Sequence, residues 1–452
     1  MRHGPTVAEP SSPARAAAVA LLHTLYDSPG DTPLPVLIDR TARRRNLNVK
    51  DTALLTELSC GVLRTEKRLW AAVRPFLRKP ETLPTPLRIL LLTACYELLF
   101  LDHIPSHATV HQAVTLTKRR YGSALGGVVN AVLRSMERDL DRIRAEDAAF
   151  LVQDPQQATT EDVERLGSLP SGLAAQWTRD YGPAAAWDFA RRAGRKPAPS
   201  YRINAARPDA RDTAQALQEA GGQPVGQWGI LFPQTARDLF PLLDRLESEG
   251  RVSRQGESSL LLAQMLIDAI RAGDYPAAGP VWDACCGRGG KSCALLEQGI
   301  HVAVSSDPVQ SRLNDFDSAL KRLQLPRPQL IRSPAQRLSH RFAGHFPLIL
   351  LDVPCSGTGT LARNPELRLR QTRESRAALP ALQIELLNAA WHALAPGGLL
   401  AYSTCALQRS ENEEQVAAFL ASSPDAELRA LHLIVPSLPG QDILFLALLR
   451  KA

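Results

Sequence analysis

Two cysteines stand at the ends of apolar runs that read as strands. Pro347-Leu348-Ile349-Leu350-Leu351 opens into Asp352-Val353-Pro354-Cys355-Ser356-Gly357-Thr358-Gly359. Some fifty residues on, Gly398-Leu399-Leu400-Ala401-Tyr402 delivers Ser403-Thr404-Cys405. A free cysteine inside an apolar helix is ordinarily a small buried hydrophobe, and that reading suits Cys60, Cys95 and Cys293. A thiol at a strand end, where small residues turn the backbone outward, is instead presented for reaction, and its thiolate is a nucleophile.

A third stretch, Asp283-Ala284-Cys285-Cys286-Gly287-Arg288-Gly289-Gly290-Lys291-Ser292, follows another short apolar run. Its glycines let the backbone approach a ligand closely while the amides of a following helix face it. A phosphate-binding P-loop needs glycine where Cys285 stands, and a dinucleotide fingerprint starting at Gly287 needs one at Ser292. An acidic residue four before the first glycine, with Asp307 ending the next strand, suits an adenosyl ligand whose ribose hydroxyls donate to Asp307. S-adenosylmethionine is the expected cofactor. Thiols beside a methyl donor have a chemical reason. Carbon 5 of a pyrimidine is a poor nucleophile, but a thiolate adding at carbon 6 makes it enamine-like and able to attack a sulfonium methyl. A second polar group must then remove the carbon 5 proton. Asp352 is placed to hydrogen-bond the pyrimidine edge. Residue types alone do not say which of Cys355 and Cys405 is the nucleophile.

The elements that position these groups alternate from Gly279 onward: strand 281–283, a helix, strand 301–306, helix 312–323, strand 347–351, helix 380–395, strand 399–403 and helix 411–421. Repeated strand-helix units imply a mainly parallel sheet covered on both faces, with ligands beyond the carboxyl ends of its strands. The strands ending at Asp352 and Thr404 are expected to be neighbours, about 4.8 Å apart.

Upstream, residues 1–13 carry three prolines and no periodicity and read as a frayed tail. From Ala14 to about Arg144 the pattern is helical, with Leu54, Leu55, Leu58, Val62 and Leu63 on one face and Val128, Val129, Val132 and Leu133 on another. Residues 145–170 read as a polar linker. Helices over 172–181 and 183–194, a strand at 200–204, and a helix at 211–220 closed by Gly221-Gly222 follow; residues 223–255 carry no readable pattern. The predicted domains are 14–145, all-helical; 146–255, linker helices with a small α/β subdomain; and 256–452, the α/β catalytic domain.

A chain of 452 residues is too long for one ordinary core. Its 53 Lys and Arg against 46 Asp and Glu give +7, most of it in the helical domain, including Arg43-Arg44-Arg45 and Lys118-Arg119-Arg120. Such runs suit a polyanion and equally suit solvated helix ends. Seven cysteines without a CxxC pair argue against a disulfide framework or a metal site, and point to a reducing cytoplasm. The longest apolar stretch, Ile89 to Leu101, is interrupted by Glu97 and too short to span a bilayer.

On these motifs the sequence resembles the bacterial RsmB-type members of the NOL1/NOP2/Sun group of RNA cytosine-5 methyltransferases. Asp51–Leu58 with Gly61-Val62-Leu63-Arg64, and Val128–Arg134, look like the NusB-like RNA-binding domain of that subfamily. Arg202-Ile203-Asn204, Arg363-Asn364-Pro365-Glu366 and Glu411-Asn412-Glu413 also look like family segments. The resemblance implies a Rossmann-like methyltransferase domain, Cys405 as nucleophile, Cys355 assisting product release, and Asp352 at the catalytic edge. It places S-adenosylmethionine on Cys285, Cys286, Gly287, Arg288, Gly289, Gly290 and Lys291, with Asp307, Ser333 and Asp352. It also implies 5-methylcytosine formation at cytosine 967 of 16S rRNA, by a monomer acting before 30S assembly is complete. There are departures. Cys286, Gly287 and Arg288 replace a usual Ala-Ala-Pro, Ser333 stands for an aspartate, Arg207 for a lysine, and Asp442-Ile443-Leu444-Phe445 for Asp-Gly-Phe-Phe. They keep two alternatives open: an RNA-binding ribosome-assembly factor with weakened catalysis, and the same chemistry on transfer RNA.

Overall fold

Apolar residues at helical spacing, punctuated by prolines at helix starts, shape the first part of the chain. The computed structural model describes residues 12–233, 237–272 and 279–452, so most of the expected tail lies outside the described residues. The helices are α1 (Pro13–Asp27), α2 (Leu34–Arg44), α3 (Val49–Val73), α4 (Thr85–Phe100), α5 (Ser106–Tyr121), α6 (Ser123–Arg138), α7 (Leu140–Leu151), α8 (Thr160–Gly167), α9 (Ser171–Tyr181) and α10 (Pro183–Ala193). Asn48 starts α3 by accepting from the Asp51 amide. Helix α4 is apolar on nearly every side, as befits the centre of a helical core, and Leu87 and Ile89–Leu98 are buried. Two expectations are corrected. Val128 faces out of α6 at 46% exposure while Val129, Val132 and Leu133 are buried. Residues 160–167, read as linker, form α8, because Thr159 and Asp162 close a reciprocal capping box and Val163 and Leu166 reach the core.

The described chain divides into two units. One runs to Lys196 and takes in Asn364–Gln371; the other comprises Pro197–Arg363 and Thr372–Ala452. In the helical unit the inserted segment is tightly bound. Glu366 accepts from the Leu34 amide at 2.9 Å, Arg368 donates to the carbonyls of Gly167 and Ala193, and Arg370 to those of Pro29 and Thr32.

The catalytic unit begins with a small antiparallel sheet: β1 (Ser200–Ile203), β2 (Gln223–Val225), β3 (Gly229–Leu231) and β4 (Val252–Arg254), in the order β2-β3-β1-β4. Helices α11 (Ala210–Glu219) and α12 (Phe240–Ser248) accompany it, and α13 (Glu257–Arg271) leads on. The strands within residues 223–255 are too short, at three residues each, to show an alternation, and the helix α12 among them went unread.

The main sheet holds β5 (Val281–Asp283), β6 (Val302–Ser306), β7 (Gln329–Ile331), β8 (Phe346–Asp352), β9 (Leu394–Thr404), β10 (Ala426–Ile434) and β11 (Leu444–Lys451). Helices α14 (Gly290–Glu297), α15 (Gln310–Leu323), α16 (Arg373–Ala393) and α17 (Glu413–Ser422) connect them. The order is β10-β11-β9-β8-β5-β6-β7, parallel from β9 to β7. The last two strands are antiparallel, contrary to the alternation expected to the end of the chain. Only nine residues join β10 to β11 and they form no helix, so the chain cannot cross over and must return as a hairpin. The expected pairing of the thiol-bearing strands holds: β8 and β9 are parallel neighbours with Asp352 opposite Ser403. Chain order reverses between β5 and β8, the switch point at which such sheets bind ligands.

Candidate active site

At that switch point β5 ends in Asp283 and β8 in Asp352. The turn after β5 winds Gly287 and Gly289 into positive φ, at 54° and 75°. Gly289 is obligatory on a second count, since a Cβ there would sit 1.9 Å from the Phe316 ring of α15. The turn feeds straight into α14, whose first residues are Gly290 and Lys291. Arg202 of β1 is buried and holds this helix from outside. It donates twice to Glu297, at 2.7 and 3.0 Å, and once to the Gly290 carbonyl at 2.8 Å.

A cleft of about 360 Å³ opens over the turn. Asp283, Cys285, Cys286, Gly287, Arg288, Gly290, Lys291 and Asp352 line it on one side, with Gln255, Gly256, Arg363 and Asp442 among the others. Lys291 Nζ donates to Asp352 Oδ2 at 2.5 Å, and Ser403 Oγ to Oδ1 at 2.8 Å. Burial works against the Lys291 charge, yet the Asp352 carboxylate carries the ammonium above its ordinary pKa. Asp283 is pushed up to about 7 by burial, against the opposing hydrogen bond from Ser292. Its Oδ1 is buried with no protein partner. Burial also pushes the Cys285 and Cys286 thiols up, which leaves them protonated and unreactive.

The other two thiols meet. Cys355 Sγ and Cys405 Sγ are 3.1 Å apart, and the Cys405 amide donates to Cys355 Sγ at 3.2 Å. The hydrogen bond with Cys355, then burial, then the nearby negative charges raise the Cys405 thiol well above its ordinary pKa, with Lys291 opposing. A buried polar frame fixes both loops. Gln408 Oε1 accepts from Ser356 Oγ and Thr358 Oγ1, Glu411 Oε2 accepts from the Ser356 amide and Gln383, and Gly359 N–H donates to the Cys405 carbonyl at 2.8 Å. The thiols are not part of the cleft lining but join it through Asp352 and Ser403.

Not every expected residue gathers here. Asp307 is 3% exposed, and its carboxylate accepts from the Gly287 and Val309 amides and pairs with Arg312 at 3.4 Å, so it braces the glycine turn. Ser333 lies past the end of β7, outside the cleft lining, with its hydroxyl on the Pro334 carbonyl. Arg288 is mostly exposed and pairs with Asp315. Sequence reasoning missed Gln383, Gln408, Gln255 and Gly256. The signal for Gly256 was available in its type alone: a Cβ there would meet Asp442 Oδ2 at 2.9 Å and Arg363 Nη2 at 3.0 Å.

A doubly wound sheet with a glycine turn at its switch point and reactive groups on the neighbouring strand ends defines a Rossmann-like fold with a ligand site at that switch point. A model of the 16S rRNA methyltransferase RsmB/F family matches residues 276–441, and a NusB family model matches residues 12–138. Ribosomal RNA small subunit methyltransferase B of Vibrio cholerae serotype O1 is 33% identical over 440 residues, 95% of this chain and 93% of that one. Among solved structures, PH0851 superposes with a TM-score of 0.68 at 21% identity over 99% of this chain and 100% of its own. A methyltransferase homolog from Pyrococcus horikoshii gives 0.52 at 24% identity, over 65% and 99%. The chain belongs to the RsmB/F family of rRNA methyltransferases, with an all-helical NusB domain preceding the Rossmann-like one. Among the described residues no helix is long and apolar enough to cross a membrane, and no His, Cys, Asp and Glu cluster is arranged to hold a metal.

Proposed function

We propose that the catalytic unit uses S-adenosylmethionine to form 5-methylcytosine in 16S rRNA, at cytosine 967 as the resemblance assigns. The residues present fit the cofactor. Gly287 has open space where a side chain would stand, Asp283 keeps an unpartnered buried oxygen, and Lys291 and Asp352 offer opposite charges on one wall. Cys285 through Lys291, Asp307, Ser333 and Asp352 would hold it. When bound, it supplies an electrophilic methyl group on a sulfonium.

The chain's own residues do the rest. The cytosine leaves its stack to reach the strand ends. Cys405 loses its proton to solvent, and the thiolate sulfur bonds to carbon 6 as the carbon 5–carbon 6 double bond opens, so the ring electrons gather at carbon 5. Asp352, fixed by Lys291 and Ser403, accepts from the amino edge of the pyrimidine, and the Lys291 ammonium beside it offsets the negative charge that develops. Once carbon 5 carries the methyl, Cys355 as its thiolate takes the carbon 5 proton, the electrons of that bond re-form the carbon 5–carbon 6 double bond, and the Cys405 sulfur leaves as thiolate. The helical domain, residues 14–145, positions the RNA. The chain acts as a monomer in the cytoplasm, on rRNA before 30S assembly is complete.

The observation that carries this reading is the 3.1 Å approach of two thiols on adjacent strand ends, beside the Lys291–Asp352 wall of the cleft. Cys405→Ala is expected to abolish methylation, read by bisulfite sequencing of 16S rRNA. Cys355→Ala is expected to accumulate a covalent RNA adduct on a denaturing gel. Full methylation by Cys405→Ala would refute the roles given.

A further inference from the structure

The helical unit contains a cavity of about 350 Å³ that the reaction does not use. Helices α3, α4 and α7 line it, together with Gly194, Arg195 and Lys196 just past α10. Five of its lining residues are cations, Arg64, Arg68, Arg144, Arg195 and Lys196, against one carboxylate, Asp147. Arg64 and Arg68 are 7% and 8% exposed, so two guanidiniums are held in place rather than waving in solvent.

Most of these charges have a partner. Arg68 forks onto Asp147 at 3.0 and 2.5 Å, Arg144 reaches Asp102 at 2.9 Å, and Lys196 reaches Glu57 at 2.6 Å. Arg195 is different: among the described residues its guanidinium makes no hydrogen bond and no ion pair. Arg195 is exposed on the cavity wall, and partial desolvation with the neighbouring Arg68 and Arg191 opposes its charge, Asp147 giving partial relief. A concave wall with surplus positive charge and low-dielectric sides focuses an attractive field on an anion. Tyr96 is 7% exposed, donates to Glu57 at 2.7 Å and packs on Phe100 with ring centroids 5.1 Å apart, and the Arg68 guanidinium lies 5.5 Å from the Phe100 centroid, so the rings form a floor that props the cations.

We propose that this cavity binds one backbone phosphate of the RNA substrate, with Arg195 as its direct partner. The site rests on the reading of the chain as an enzyme acting on RNA, and it tells where the helical unit grips that RNA. The shared chemistry is a phosphate, so RNA and free inorganic phosphate must be told apart.

The test uses the full-length chain and a fluorescent transcript of 16S rRNA, with affinity measured by anisotropy across a series of KCl concentrations. Arg195→Gln is expected to bind about five- to tenfold more weakly, with the slope of log affinity against log salt shallower by roughly one contact. A thermal melt equal to wild type establishes that the variant is folded. Wild-type affinity and slope in Arg195→Gln overturn the site, as does weaker binding with an unchanged slope. In a second arm phenylglyoxal modifies Arg195, and the RNA is expected to protect it; protection by inorganic phosphate alone, with none from RNA, also overturns the site. If wild type binds the transcript without methylating it and Arg195→Gln weakens that binding, the proposed function falls and the site stands. If wild type methylates and Arg195→Gln binds normally, the site falls and the function stands.

Discussion

Cys355 Sγ lies 3.1 Å from Cys405 Sγ, and that contact is the first cause of the raised Cys405 pKa. Replacing Cys355 by alanine therefore lowers the pKa of Cys405. Alkylation of Cys405 by iodoacetamide, followed against pH by mass spectrometry, is expected to reach half-maximal rate at a lower pH in Cys355→Ala than in wild type. An unmoved profile would show that the thiols are not coupled.

The same proximity makes a disulfide accessible. With oxidised glutathione as electron acceptor, one thiolate forms a mixed disulfide and releases one glutathione thiol, and the other displaces the second glutathione thiol, so that Cys355 and Cys405 together lose two protons and two electrons. Methylation and two titratable thiols should disappear in parallel and return with dithiothreitol. Loss of activity with both thiols still titratable would contradict this.

Ser333 stands where the family resemblance calls for an aspartate. A charge-assisted hydrogen bond is stronger than a neutral one, so Ser333→Asp is expected to tighten S-adenosylmethionine binding by about 1–2 kcal/mol. Calorimetric titration of both proteins decides it, and equal affinities would dispose of the idea.

Asp283 carries a folded-state pKa of about 7 against 3.8 for the free group. A raised carboxyl favours its protonated form in the fold, so its contribution to stability is full below about pH 4 and is lost as pH rises through 7. Asp283→Asn removes that loss, at most about 4 kcal/mol. The thermal midpoint of the variant should match wild type below about pH 4 and exceed it by a growing margin from pH 5 to pH 8. A gap that is constant with pH would mean Asp283 is ionised in the fold.

Arg202 and Glu297 form a buried pair, 5% and 2% exposed at the side chain. Arg202→Met leaves an uncompensated carboxylate under α14 and is expected to destabilise the catalytic unit by about 3–5 kcal/mol. Because α14 carries the glycine turn, cofactor affinity should fall at temperatures where the variant is still folded. Full stability in Arg202→Met would remove Arg202 from this role.

The strands ending at Asp352 and Thr404 were legible because both are covered on two faces, which writes them as unbroken apolar runs closed by polar residues. The glycine turn was legible for its positive φ. The frame around the thiols was not. Gln383, Gln408 and Glu411 bond to loops far away in sequence, and a lone glutamine after a strand carries no local signature of such a partner. Asp307 was legible as a strand-end carboxylate, but its hydrogen bond to the backbone of the neighbouring turn was not, because residue type does not mark that contact. The antiparallel β10 and β11 were not legible because strand direction is set by the short helix-free connection between them, which residue types do not mark.

Asn364–Gln371 completes the helical unit although the rest of that unit ends at Lys196. During synthesis the ribosome must add roughly 170 more residues before the carbonyls of Gly167 and Ala193 can meet Arg368, a wait of roughly ten to thirty seconds at ordinary elongation rates. The NusB half of this enzyme thus reaches its final form only after the loop carrying Cys355 has left the exit tunnel, which ties the maturation of one half to the birth of the other.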